Sequence, residues 1–320
     1  MKKVVFWGTR GSLPIALTAD AVRHKVMAAL TAANGRRFAS RSELADFVDG
    51  LPFATAGTFG GHSSCVEIVT GGPEHIICDM GSGARPLAQA KLAAYGAARP
   101  QVYHVFISHL HWDHLMGFPF FLPMYIPGNR IVIHGCHDRL EEAMRLQMRA
   151  PCFPVDYSQA GATIEYHAMT PGQPHAVAGL TVTPHRQLHA GDSYGYRFAG
   201  QGRCVVYSTD SEHKLEDNGE RQGFIEFFQA ADLVVFDAMY SLAEAVSVKA
   251  DWGHSSNVVG VELCQAAGAR RLALFHHEPV NDDEQLGRLL DETRRFEAIT
   301  REGRAPLEII SAYDGLVVDL

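Results

Sequence analysis

The chain has 320 residues, 47% of them hydrophobic and 20% charged, with a net charge of −8 and a pI near 6.1. That length and balance suit a globular fold with a substantial core, and no apolar run reaches membrane-spanning length. The acidic balance argues against a broad grip on long nucleic acid, where many Lys/Arg–phosphate contacts supply the affinity. The charged start, Met1 to Lys3, is followed by only four apolar residues before Gly8. That is too short for a signal-peptide core, so it reads as a first strand and turn. Six cysteines (Cys65, Cys78, Cys136, Cys152, Cys204, Cys264) are scattered without a C-x-x-C pair. They are expected as buried free thiols in a reducing cytoplasm.

In chain order, residues 4–7 read as a strand and 8–14 as a glycine-bearing loop, with Thr9, Arg10 and Ser12 as polar candidates. Residues 18–56 then interrupt the pattern. Thr18 looks like a helix cap ahead of Val22 and the run from Val26 to Leu30, and Asn34-Gly35 stops that helix. Ser40 to Glu43 opens a second helix with Leu44, Phe47 and Val48 on one face. This segment is expected as a helical insertion within one domain spanning 1–320. Its apolar faces need a surface: the main domain, a second copy in a homodimer, or the mouth of a site. Strands follow at 66–70 and 75–78, the second ending in Asp79, then a helix over 86–95 and a strand over 102–107. The aromatic- and proline-rich stretch 117–127 is expected to pack on the sheet. Further strands are expected at 131–134, from 180 leading to the candidates His185 and His189, at 194–198, 204–210, 233–240, 271–275, 307–310 and 316–319, with helices at 139–149, 258–267 and 282–300.

The chemistry concentrates at Ser108-His109-Leu110-His111-Trp112-Asp113-His114, where three histidines and one aspartate fall within six residues. The stretch follows an apolar strand, so it lies at a strand's C-terminal end, where open α/β sheets place ligands. Neutral imidazole and carboxylate suit zinc and similar divalent ions. In extended chain, residues two apart point the same way, so His109 and His111 converge on one ion. If the chain then bends into a helix start, Asp113 and His114 are carried toward a second. Two metals ~3.5–4 Å apart can clamp a phosphoryl group. A histidine-rich surface turn is the bland alternative, but four ligand-type side chains behind an apolar strand disfavour it.

This H-x-H-x-D-H string resembles the signature of the metallo-β-lactamase-fold hydrolases, on the phosphodiesterase side that includes ribonuclease Z and the phosphonate-pathway cyclic phosphodiesterase. The resemblance covers most of the chain. It implies an α/β, four-layer αββα sandwich and two divalent metal ions, zinc by default with manganese or iron as alternatives. His109, His111 and His189 then hold one ion, with His185 as the fallback for His189. Asp113, His114 and His276 hold the other, with His277 as the alternative to His276. Asp210 bridges. Asp79 supports the metal loop by hydrogen bonds, and Asp237 lies behind the ligands in the same manner.

The resemblance also gives Asp113 and His254 catalytic roles. Asp251-Trp252-Gly253-His254-Ser255 is similar to a ribonuclease Z segment whose histidine meets the scissile phosphate. A water shared by the metals attacks phosphorus, and His254 gives a proton to the leaving oxygen or binds the phosphate. His62 falls where relatives carry a polar, site-facing residue and is a substrate-binding candidate. The long basic, glycine-rich arm with which ribonuclease Z enzymes grip transfer RNA is absent from the sequence. The expected substrate is therefore a small or cyclic nucleotide or a short RNA end, handled away from membranes. The alternatives are a carboxyl-ester hydrolase (lactonase or thioesterase) on the same scaffold, and a non-catalytic metal-binding signalling module.

Overall fold

The computed structural model describes residues 1–213, 218–240 and 253–320. Strand alternation builds two facing sheets. The first contains β1 (Lys3–Gly8), β2 (Cys65–Val69), β3 (Glu74–Cys78), β4 (Val102–Phe106), β5 (Arg130–Gly135), β6 (Thr163–Ala168) and β14 (Val317–Asp319), in the order β14-β1-β2-β3-β4-β5-β6. The second contains β7 (His175–Val177), β8 (Leu180–Gln187), β9 (Ser193–Gly200), β10 (Arg203–Ser208), β11 (Leu233–Asp237), β12 (Arg271–Phe275) and β13 (Glu308–Ser311), in the order β13-β12-β11-β10-β9-β8-β7. Both are mixed: β3 to β6 run parallel, as do β10 to β13, whereas β1, β2 and β7 to β9 pair antiparallel.

The inner faces meet in a core of Val4, Phe6, Ile68, Ile76 and Phe106 from one sheet and Val182, Tyr196, Phe198, Val205 and Phe275 from the other. Phe106 stands edge-on to both Tyr196 and Phe198, a favoured aromatic geometry. The outer face of the first sheet buries Ile77, Val105 and Ile133 under α4 (Ala84–Tyr95) and α5 (Leu140–Leu146). The outer face of the second buries Val206, Val234 and Leu274 under α6 (Asn218–Phe228) and α7 (Asn257–Ala267). The fold is an αββα sandwich, with apolar side chains on both faces of each sheet because both are covered.

Between β1 and β2 lie α1 (Ala19–Ala32), α2 (Arg41–Asp49) and α3 (Phe53–Ala56), capped at Thr18 and Ser40 as the sequence predicts. Lys25 ties α1 to the body: its Nζ donates to the carbonyls of Ala54 and Gly57 and pairs with Asp283 at 2.6 Å, at the start of α8 (Asp283–Thr300). Asp283 also accepts from the backbone N–H of Phe59. The branched side chains of α1 (Val22, Val26, Leu30) face solvent.

Several details differ from expectation. Strands β6 and β7 and helix α6 are additions, because their short or polar runs carry little periodic signal. Helix α5 ends at Leu146 rather than 149. Cys152 is exposed and Cys136 only partly buried, while the other four cysteines are buried, and all six are free. Within 117–127, Phe118, Phe121 and Met124 are buried as expected, but Phe120 and Leu122 are exposed. Among the described residues, no helix is long and apolar enough to cross a membrane.

Candidate metal centre

Parallel strands of both sheets deliver their C-terminal ends to one edge of the sandwich. Asp79 follows β3, the 108–114 loop follows β4, Asp210 follows β10, Asp237 ends β11 and His276 follows β12. His189 lies two residues beyond β8. Three of these residues adopt left-handed backbone, with φ of 59° at Asp79, 48° at Asp210 and 59° at His276. Asp and His are among the non-glycine residues that tolerate this region, and such strain is held where the surroundings fix it. After His111 the chain closes a 3-10 turn, Trp112–His114, which keeps the His114 ring 4.2 Å from the His109 ring and puts its Nε2 3.1 Å from Asp113 Oδ2 and 3.3 Å from Asp210 Oδ1.

Four overlapping donor groups result among the described residues; two share no residue with each other, and the other two, His189–Asp210–His254 and Asp237–His254–His276, both include His254. His109, His111 and His189 present nitrogens within 4.8 Å of one another, and Asp113, His114, Asp210 and His276 form a second such group. His109 Nε2 lies 2.9 Å from His111 Nδ1, and His189 Nε2 lies 3.2 Å from the same atom. Asp210 spans the groups. Its Oδ2 is 3.6 Å from His109 Nε2 and 3.7 Å from His189 Nε2. Its Oδ1 is 3.3 Å from His114 Nε2 and 3.2 Å from His276 Nε2. The second group is buried throughout, whereas the first opens to solvent at His111.

A surrounding layer orients the rings. Asp79 is fully buried and accepts from Ser108 N at 2.8 Å, Ser108 Oγ at 2.7 Å and Tyr207 Oη at 2.7 Å. Its Oδ2 also lies 2.7 Å from His114 Nδ1. An acceptor there places the proton on Nδ1 and leaves Nε2 as a lone-pair donor. His189 follows the same logic, with Nδ1 2.8 Å from the Gly253 carbonyl. Gly253 has φ of 81°, and a Cβ there would lie 2.3 Å from His189 Nδ1, so only glycine fits. A Cβ on Gly11 would likewise meet the His276 ring at 2.5 Å. His254 sits at the rim, Nδ1 2.8 Å from Asp237 Oδ2 and 4.0 Å from Asp210 Oδ2.

The electrostatics call for cations. Asp79, Asp113, Asp210 and Asp237 are all buried. Among the described residues their ion-pair partners are histidines alone, with no lysine or arginine. Buried carboxylates at this density need positive charge. Burial pulls the His109, His111 and His189 imidazoles below the ordinary histidine value, toward the neutral form that ligates. Burial pulls His114 down too, but Asp113, Asp210 and Asp79 outweigh it and hold that ring well above the ordinary value. His114 Nε2 is buried with no hydrogen-bond partner. A divalent ion would add positive charge beside these carboxylates and would give that nitrogen, now facing Asp113 and Asp210 without a well-formed hydrogen bond, a ligand bond. The donor set therefore fits metal binding at both groups.

The fallback residues fall elsewhere. His185 lies within β8, on the face opposite inward-facing Val182, and stacks on Phe227 at 4.7 Å beneath α6. Its place is taken by His189, which the following turn carries to the strand end. His277 points away from the cluster and bonds the Ala312 carbonyl at 2.8 Å. His62 is outside both donor groups, its Nδ1 3.2 Å from Ser82 Oγ. Arg10 is buried structural chemistry, its guanidinium donating to the carbonyls of Gly60, Glu278 and Asn281. Thr9 is buried too and bonds Asp314. Ser12 does reach the site, through its backbone N–H, 2.9 Å from Asp113 Oδ2. Sequence reasoning missed that contact and the Tyr207–Asp79 bond, because neither leaves a local pattern. Asp251 and Trp252 lie outside the described residues.

A family model described as a beta-lactamase superfamily domain matches residues 75–277. A ribonuclease Z from Haloarcula marismortui is 24% identical over 251 residues, covering 63% of this chain and 76% of its own. Among solved structures, the metallo-beta-lactamase fold protein YhfI from Bacillus subtilis superposes with a TM-score of 0.64 at 19% identity, covering 100% of this chain and 99% of its own. A diphosphatase from the PhnP family superposes with a TM-score of 0.59 at 16% identity, covering 100% of this chain and 98% of its own.

Proposed function

The chain belongs to the beta-lactamase superfamily, and from that premise we propose that it is a dinuclear metal-dependent phosphodiesterase acting on a small or cyclic nucleotide or a short RNA end. The observation that carries this reading is the straddling position of Asp210, with Oδ2 toward His109 and His189 and Oδ1 toward His114 and His276. One carboxylate set between two donor groups is an arrangement for a pair of ions rather than one.

In this reading His109, His111 and His189 hold one ion, and Asp113, His114 and His276 the other, with Asp210 shared. Zinc suits this nitrogen-rich set. Bound ions would lend Lewis acidity to the phosphoryl oxygens and lower the pKa of a water held between them. The chain's own residues do the rest. Asp79 and the Gly253 carbonyl fix the tautomers of His114 and His189. The Ser12 N–H steadies Asp113, which joins the catalytic group as a ligand beside the reacting phosphate. His254, its Nδ1 held by Asp237, is left with Nε2 to give a proton to the departing oxygen or to hydrogen-bond the phosphate.

Phosphoryl chemistry is favoured over carboxyl-ester chemistry, since one relative is named ribonuclease Z and one structural neighbour a diphosphatase. The net charge of −8 favours a small substrate over a long polyanion. The test is hydrolysis of bis-p-nitrophenyl phosphate by metal-analysed protein, with and without chelator, beside a lactone and a thioester. Chelator-sensitive diester cleavage with two metals bound is the expected result. Turnover of a carboxyl ester with silence on the diester would overturn the reading.

A further inference from the structure

Trp112 stands between two donors, His111 and Asp113, and is 72% exposed. Tryptophan is ordinarily among the most buried side chains on average, so a large exposed indole is informative where an exposed leucine is not. Trp112 is not on a loose loop. It opens the 3-10 turn Trp112–His114, and its carbonyl accepts from Leu115 N at 3.0 Å and Met116 N at 2.7 Å. The turn is also pinned through Asp113, which takes the Ser12 N–H.

The residues on either side of Trp112 both belong to the donor groups. His111, next in the chain, is the exposed member of the open donor group. Leu13 follows Ser12 and is 61% exposed. The Ser12–Asp113 bond thus joins the residue before exposed Leu13 to the residue after exposed Trp112. An exposed indole therefore stands, in the chain, between two of the site's donors, on a backbone held in a hydrogen-bonded turn.

We infer that Trp112 is a specificity-determining residue that stacks on the aromatic base of a nucleotide substrate while the phosphodiester occupies the metal centre. A flat indole facing water offers a surface rather than a groove. It suits a planar ring, which gains from stacking without being enclosed, better than an alkyl chain, which gains by full burial. Stacking tolerates every base, so the preference is for nucleotides over base-free diesters, not for one base. This deepens the phosphodiesterase reading and rests on it for the position of the phosphate.

The test compares metal-loaded wild-type protein with Trp112→Ala and Trp112→Phe. Two substrates share one leaving group: the p-nitrophenyl ester of thymidine 5′-monophosphate, which carries a base, and methyl p-nitrophenyl phosphate, which does not. Trp112→Ala should lower the ratio of kcat/KM for the first over the second by roughly ten- to a hundred-fold, mostly through KM, and Trp112→Phe should restore most of it. An unchanged ratio would overturn the inference. A separate binding readout keeps it distinct from the hydrolytic reading. Adenosine 5′-monophosphate should quench wild-type tryptophan fluorescence, ribose 5-phosphate should not, and the quench should vanish in Trp112→Ala. If neither diester is cleaved, the phosphodiesterase reading fails and this titration alone decides the role of Trp112. Absence of a base-dependent quench would sink it.

Discussion

His254 Nδ1 lies 2.8 Å from Asp237 Oδ2, and the carboxylate is itself held by the backbone N–H groups of Ser211 and Met239. Burial pulls the imidazole's pKa down, but Asp237, with Asp210 and Asp113 behind it, raises it to about 9. The protonated, proton-giving form therefore persists through neutral pH and is lost as pH rises through that value. Bound cations nearby lower it from there, since like charge disfavours the imidazolium. Asp237→Asn removes the principal raising charge. The alkaline limb of the kcat/KM profile for a phosphodiester should move to lower pH in that variant. An alkaline limb that stays in place would remove His254 as the titrating acid.

His254→Ala should retain both metals, because the two principal donor groups do not need its ring. Diester hydrolysis should fall by about 10²–10⁴-fold, the usual contribution of a positioned general acid. Metal analysis alongside steady-state rates makes the check. A wild-type rate in the variant would rule out both the proton-donor and the phosphate-contact role.

Asp210→Ala deletes the carboxylate that faces both donor groups. Metal content should drop together with rate, and the loss should extend to both ions. Elemental analysis of the purified variant decides. Unchanged stoichiometry would take Asp210 out of the ligand set.

Asp79 touches no ion in the proposed arrangement, yet it sets the tautomer of His114 and anchors Ser108. Asp79→Asn should weaken metal affinity by about 10–100-fold while keeping the ligand count, as loss of a supporting carboxylate does. Competition with a chelator of known affinity measures it. Affinity equal to wild type would show that His114 is oriented without Asp79.

Lys25→Ala leaves the buried carboxylate of Asp283 without its cation and breaks the tie between α1 and α8. An uncompensated buried polar group costs about 1–3 kcal/mol, so the thermal midpoint should fall. Limited proteolysis should also cut first within residues 18–56. Unaltered melting and cleavage patterns would mean that α1 is held by other contacts.

Much of this was decided by local sequence. The H-x-H-x-D-H loop behind an apolar strand specifies its own geometry: alternation aims His109 and His111 together, and one turn of helix redirects Asp113 and His114. The strand-end aspartates Asp79, Asp210 and Asp237 were legible for the same reason, since each closes a run of buried residues. The tertiary structure decided what depends on residues far apart in the chain. Only the two-residue periodicity of β8, read against an inner core and an outer helix, puts His185 under α6 and leaves His189 to the site. Only the approach of Ala312 occupies His277 and leaves His276 to the donors. The burial of Arg10 against carbonyls at positions 60, 278 and 281 could not be read locally, nor could the Tyr207–Asp79 bond across 128 residues. The physical reason is range: a turn or a strand is set by its own side chains, whereas a histidine's partner is set by whichever element the fold brings beside it.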